Sequence, residues 1–246
     1  MKALIKLVQV IYVVYAFGLF VALLLLVFPL ALLASLAGKI YGGNIIYALS
    51  GYWADVWLLM TGIRVRKIER APYRREGTYI FVANHRSYMD VPMFVKLIRR
   101  PMRALANEEM GKIPVFGFLY RRAAITVNRS SAENRARSVK VLKSVVRKGI
   151  SIFIFPEGMF NTTGQPLKTF YDGAFRIAIE TRTPLQPVLF PDTAKRLHYS
   201  SIFSLTPGIS RAIFLPAVSV EGLTLTDVEM LRDKVYKMME EGLSIK

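Results

Sequence analysis

No cysteine occurs among the 246 residues. That excludes disulfides, a thiolate nucleophile and any cysteine-ligated zinc or iron–sulfur centre. Histidine is nearly as scarce. With only His85 and His198 present, a histidine-rich metal site is excluded as well, and the chemistry falls to oxygen and nitrogen groups. Acidic side chains are outnumbered two to one, 17 against 34 basic, and the formal net charge of +17 calls for an anionic partner. Nucleic acid and an anionic lipid surface both fit that balance. No nucleic-acid-binding fingerprint is recognisable, however. Charge is also absent in one place: residues 7–38 contain no Asp, Glu, Lys, Arg or His. The front of the chain therefore points to lipid.

Hydrophobic residues make up 53% of the chain, with a mean hydropathy of +0.34, and much of that surplus is in the first sixty residues. Residues 7–28 suffice for an apolar helix of about 33 Å, enough to cross a bilayer. A signal peptide would have a shorter apolar core and a small-residue cleavage site, which is missing. A single span is disfavoured because Lys2 and Lys6 precede the run while Lys39, Arg64, Arg66 and Lys67 follow the hydrophobic region. Pro29 interrupts the run, Gly42 and Gly43 mark a break, and Ile45 to Met60 forms a second apolar segment with a lone Asp55. These features predict a two-helix membrane-anchoring hairpin over residues 1–62, either dipping into one leaflet with Trp53 and Trp57 near the headgroups or crossing the bilayer twice. The expected location is the cytoplasmic face of the cell inner membrane.

From residue 63 to 246 the pattern is that of an α/β domain with a mostly parallel sheet flanked by helices. Short β-rich runs are expected at Ile63–Ile68, Thr78–Ala83, Met102–Ala106, Ala124–Asn128, Ile150–Phe155, Leu185–Phe190 and Ala212–Val220. Helices are expected at Val91–Arg100, Ser131–Lys148, Asp172–Thr181 and Thr226–Glu241. The third of the strands to matter chemically, Ile150–Phe155, runs into Pro156-Glu157-Gly158; Thr78–Ala83 runs into Asn84-His85, and Ala124–Asn128 into Arg129. In such sheets functional groups gather where strands end.

Five residues along a continuous helix turn about 500°, so His85 and Asp90 meet only if one ends a strand and the other starts the next helix. An Asp accepting from one ring nitrogen fixes the tautomer and leaves the other nitrogen to take a proton. The plainer alternative is a helix start, because Ser87-x-x-Asp90 reads as a capping box and Asp90 before Val91-Pro92 as an N-cap. His198, among Arg196, Leu197 and Tyr199, is assigned no chemistry.

Asn84-His85-x-x-x-x-Asp90, Ala124-Ile125-Thr126-Val127-Asn128-Arg129, Phe155-Pro156-Glu157-Gly158 and the prolines at 184 and 187 occur in order. This succession resembles the motifs of the glycerolipid acyltransferases, above all the 1-acyl-sn-glycerol-3-phosphate acyltransferases. The resemblance implies that His85 is a general base oriented by Asp90 and that a fatty acyl group passes directly from a thioester to a lysophosphatidic acid hydroxyl in a ternary complex. The donor it implies is acyl-CoA or acyl carrier protein, with no further cofactor and no metal. Arg129 would bind the acceptor phosphate, Glu157 would orient a cation such as Arg129 or hold an acceptor hydroxyl, and Gly158 would allow close backbone approach. The chain departs from the pattern at Met159-Phe160-Asn161, where the family usually has Thr-Arg-Ser, and at Ala123, Thr126 and Asn128. Phosphate recognition then leans on Arg129, Lys112 or Lys168. An acyl-serine route through Ser87, a different acceptor such as glycerol 3-phosphate or another lysolipid, and a purely anionic-lipid-binding membrane protein are the competing expectations.

Overall fold

The computed structural model describes residues 2–72, 76–127 and 132–244. Seven strands form one sheet, in the order β1-β7-β6-β2-β5-β3-β4. They are β1 (Ile63–Glu69), β2 (Ile80–Ala83), β3 (Met102–Asn107), β4 (Ala124–Val127), β5 (Ser151–Ile154), β6 (Leu185–Leu189) and β7 (Gly208–Phe214). All neighbours pair in parallel except β6 and β7, which are antiparallel. The α/β reading with a mostly parallel sheet therefore holds.

The last strand begins and ends earlier than expected. β7 follows β1 along its whole length, from Ile63 opposite Gly208 to Glu69 opposite Phe214. Beyond it Pro216 has no N–H to give a ladder, and one bridge between Leu185 and Val218 is all that follows.

The central strands are buried on both faces, as a doubly covered parallel sheet requires. Ile80 and Val82 of β2 and Ile152 and Ile154 of β5 point to one side. There they meet helices α5 (Ala132–Val146), α6 (Gly173–Thr181) and α8 (Val228–Ser244) through Leu142, Phe175 and Val235. Phe81, Ala83 and Phe153 point to the other side, against Met93 and Phe94 of α3 (Asp90–Leu97). This alternation follows from the two-residue period of a strand. A further helix, α4 (Phe116–Ala123), sits between β3 and β4 and was not expected from the pattern of its residues.

The front of the chain forms α1 (Lys2–Ser35) and α2 (Gly43–Met60), joined by a turn of π-helix at Gly38–Gly42. Helix α1 runs straight through Pro29, whose missing N–H and ring cost one internal bond but not the helix. Among the described residues α1 is the one helix long and apolar enough to cross a membrane, and little of it is covered by protein. The two helices touch from Tyr12, whose hydroxyl donates to the Thr61 carbonyl, to Gly42, where a Cβ would fall onto the Ala34 carbonyl.

The tryptophans face the other helix. Trp57 is buried and donates to the Ala16 carbonyl at 2.9 Å, and the Trp53 indole stacks on it at 5.8 Å between ring centres. Both rings serve helix–helix packing because each indole N–H finds a carbonyl of α1. Helix α2 is equally part of the core, with Tyr47, Ala54 and Leu58 in the same cluster as Phe81 and Phe153. The lone Asp55 is answered by Lys96 of α3, 2.6 Å away, and by Arg99 just beyond that helix. Residue 62 thus marks a change of secondary structure while packing continues across it.

One buried cation ties the helix turn to the sheet. Arg103 of β3, 4% exposed, donates to the carbonyls of Met102, Lys39 and Ile40. The Lys39 and Ile40 carbonyls belong to the π-helical turn between α1 and α2. Arg103→Ala is expected to lower stability by about 2–3 kcal/mol, read as a shift of the chemical denaturation midpoint in detergent, whereas exposed Arg64→Ala is expected to change it by less than about 0.5 kcal/mol.

Candidate active site

Strands β2 to β6 all deliver their carboxyl ends to one edge of the sheet, the edge where ligands bind in open α/β sheets. Asn84 follows β2 at that edge and is completely buried. Its side chain donates to the Phe190 carbonyl at 3.1 Å and accepts from the Phe190 N–H at 2.7 Å, so it takes the place of a missing ladder partner beyond β6.

His85 comes next, and Asp90 is the first residue of α3. The strand-end and helix-start placement brings His85 Nδ1 to 2.8 Å from Asp90 Oδ2. The same oxygen accepts from the backbone N–H groups of Arg86 and Ser87, each at 3.0 Å. Asp90 has no exposed surface, and three donors on one oxygen hold its charge inside the protein. The carboxylate points back into the turn, so it caps the loop at 85–87 and does not serve as the N-cap of α3. Nε2 of His85 bonds to no described residue and is left to a ligand.

The imidazole is also sandwiched. Phe155 stacks on it at 3.7 Å and 11° between planes, and Phe160 covers another side at 4.3 Å. Phe160 in turn meets Tyr88 edge-on at 4.7 Å and Tyr199 at 6.3 Å. Aromatic faces stabilise a neighbouring positive charge, and the rings leave the His85 side chain 17% exposed. These contacts went unforeseen. The Met159-Phe160-Asn161 departure was visible, but where its ring would land was not.

Glu157 is the second buried carboxylate. Its Oε1 accepts from the His85 N–H at 2.9 Å and its Oε2 from the Lys168 N–H at 3.0 Å. Both oxygens thus brace main chain, and Glu157 has no exposed surface. Asn161 completes the brace by donating its N–H to the His85 carbonyl at 2.7 Å. Burial pushes the Glu157 carboxyl up to about 7, and the nearby Asp90 charge adds to the rise; the two N–H donors and Arg86 pull it down.

Gly158 adopts φ +77° in the turn closed by its N–H to the Phe155 carbonyl at 3.0 Å, a conformation that favours glycine. Ser87 is buried, its hydroxyl donating to the Leu197 carbonyl and accepting from the Met89 N–H, bonds that an acyl carrier would have to give up. Lys112 stands exposed after β3, paired with Glu109 at 2.9 Å, and no contact joins it to His85. Lys168 is held at the site through its backbone. Arg129 lies outside the described residues.

A hydrogen-bonded imidazole and carboxylate at the loop edge of such a sheet, with one ring nitrogen open, define a site able to move a proton during group transfer. The family model described as Acyltransferase matches residues 62–190, just over half of the chain. The chain belongs to that acyltransferase family. A 1-acyl-sn-glycerol-3-phosphate acyltransferase of Borreliella burgdorferi is 31% identical over 193 residues, covering 76% of this chain and 75% of the relative. One from Cocos nucifera is 32% identical over 157 residues, 63% of this chain and 49% of the relative, so the chain spans about half of that protein's length. The beta form from Homo sapiens is 25% identical over 219 residues, covering 87% and 78%. The crystal structure of the 1-acyl-sn-glycerophosphate acyltransferase PlsC from Thermotoga maritima superposes with a TM-score of 0.73 at 21% identity, over 99% of this chain and 96% of that one. It shows the same fold.

Glu157 is expected to make stability and activity respond oppositely to pH. Its folded-state value stands above the ordinary carboxylate range, so its contribution to stability is fully present below about pH 4.5 and is lost as pH rises through about 7. The ionised form is nevertheless the better acceptor for the His85 N–H. Glu157→Gln leaves one of the two N–H groups facing an amide NH2. It is expected to reduce kcat/KM by about 10- to 100-fold and to flatten the pH–rate profile near 7. An unchanged profile in the variant would show that Glu157 does not titrate there.

Proposed function

We propose that this acyltransferase moves a fatty acyl group from a thioester, acyl-CoA or acyl carrier protein, to the sn-2 hydroxyl of 1-acyl-sn-glycerol 3-phosphate, yielding phosphatidic acid for phospholipid synthesis. The single observation that carries the mechanism is the 2.8 Å bond between His85 Nδ1 and Asp90 Oδ2, with Nε2 open. Nε2 takes the hydroxyl proton as the acceptor oxygen attacks the thioester carbonyl. The tetrahedral intermediate collapses to the ester and expels the thiolate, which recovers the proton from the imidazolium. Asp90 offsets the charge that develops on the ring and holds the tautomer. No step requires a metal, a cofactor or an acyl-enzyme.

The acceptor is supported by the names of the relatives, and its phosphate is assigned to Arg129, with Lys112 and Lys168 as further cations. Gly158 gives the backbone room beside substrate. Membrane association is supported by α1 and by the net charge of +17; the assigned position is the cytoplasmic face of the inner membrane. Another lysolipid is the second reading, favoured by Phe160, because an aromatic ring stands beside His85.

The test is acyl transfer from each donor, in anionic liposomes, to 1-acyl-glycerol 3-phosphate and to other lysolipids. His85→Ala is expected to lose about 10²- to 10⁴-fold in rate with lipid binding intact, and no acyl-enzyme should form with donor alone. Equal rates in wild type and variant would sink the base assignment. A wild type active only on another lysolipid would replace the acceptor.

A further inference from the structure

Between α7 (Thr193–Arg196) and β7 the chain makes a strap, residues 197–207, with a short 3-10 turn at Ile202–Ser204. The strap is attached at two places. At one end the Leu197 carbonyl accepts from Ser87 Oγ, inside the turn that holds His85 and Asp90, and Tyr199 meets Phe160. At the other, the Gln9 amide of α1 donates to the carbonyls of Phe203, at 3.0 Å, and Leu205. Gln9 is the one polar side chain in the uncharged run at residues 7–28 apart from its tyrosines, and the strap is what it serves.

The turn itself is stiff. Ser204 Oγ accepts from the His198 N–H at 2.7 Å and donates to the Ser201 carbonyl, and Ser201 Oγ accepts from the Phe203 N–H. On this stiff turn Ile202 and Phe203 are 58% and 52% exposed. Two adjacent large apolar side chains held outward cost free energy in water. On α1, Leu4, Ile5 and Val8, within five residues of the Gln9 that bonds the strap, are exposed too. No acidic residue lies within the strap and Lys195 and Arg196 precede it, while Arg211 further on is paired with Asp192.

We propose that the strap is a second membrane contact, separate from the helical anchor, and that it seats Ile202 and Phe203 among the acyl chains of an anionic bilayer. The apolar turn enters the interface and the basic flank stays with the headgroups. Because the same strap holds Ser87 and faces Phe160, seating it sets the height of the His85 mouth above the lipid from which an acceptor would come. The proposal rests on the membrane reading above.

The absence of cysteine permits a direct test. Phe203→Cys, labelled with an environment-sensitive thiol dye, is reconstituted in phosphatidylglycerol-containing vesicles with or without spin-labelled lipid; Lys234→Cys on α8 is the control. Quenching at 203 but not at 234 is expected, and no quenching at 203 would overturn the proposal. In parallel, Ile202→Glu/Phe203→Glu is expected to lower kcat/KM at least about tenfold on vesicle-resident acceptor and to stay within about twofold on a short-chain acceptor that remains monomeric. An equal effect on both acceptors would also overturn it. If wild type acylated neither acceptor, the acceptor reading would fail, and the quenching result would still decide the strap.

Discussion

A carboxylate with no exposed surface has to be matched by donors, and Asp90 is matched by three that converge on a single oxygen. Stripping water from a charge is costly unless hydrogen bonds replace it. That constraint folds residues 85–87 over the start of α3 and so decides where the imidazole stands. Asn84 pins the loop to the end of β6, and Glu157 and Asn161 pin the two sides of the His85 peptide. The loop is therefore over-determined by main-chain bonds from three strands, which is how a catalytic side chain is kept in register without a ligand.

The sheet supplies the rest of the placement. Parallel strands bring all their exits to one edge, so residues far apart in sequence, at 85, 157 and 190, become neighbours. Helices α1 and α2 cover the same face of that sheet as α3. On the proposed reading, an acyltransferase that esterifies the hydroxyl of a membrane lipid gains from having its helical front end fused to its core. Buried Trp57, the Asp55 pairs and the Arg103 bonds to the helix turn resist independent motion of the front end and the site.

Much of the fold was legible because it is carried by short-range pattern. The β-rich runs before His85, Arg129 and Glu157 read correctly to within two residues, since each is bounded by a charged or glycine-containing loop. Helix α4 was not legible: Phe116-Gly117-Phe118 follows Pro114 and carries no helical period long enough to count. The break expected at Pro29 failed because losing one hydrogen bond is small against the packing and regularity of a 34-residue helix. The helix–helix bonds of Trp53 and Trp57 were not legible for a related reason, since an indole N–H is satisfied equally by a headgroup or by a carbonyl of the next helix.

By itself the sequence determined the alternation of strands and helices, the uncharged front and the pairing of His85 with Asp90. Each of these is a matter of periodicity or of two residues five apart. Tertiary structure alone decided that Glu157 braces two peptides, that Phe155 and Phe160 enclose the imidazole, and that Ser87 and Gln9 both hold the strap. Those contacts join side chains separated by up to 196 residues, and whether a buried group finds its partner at such a distance depends on how the sheet orders its strands, which no local pattern encodes.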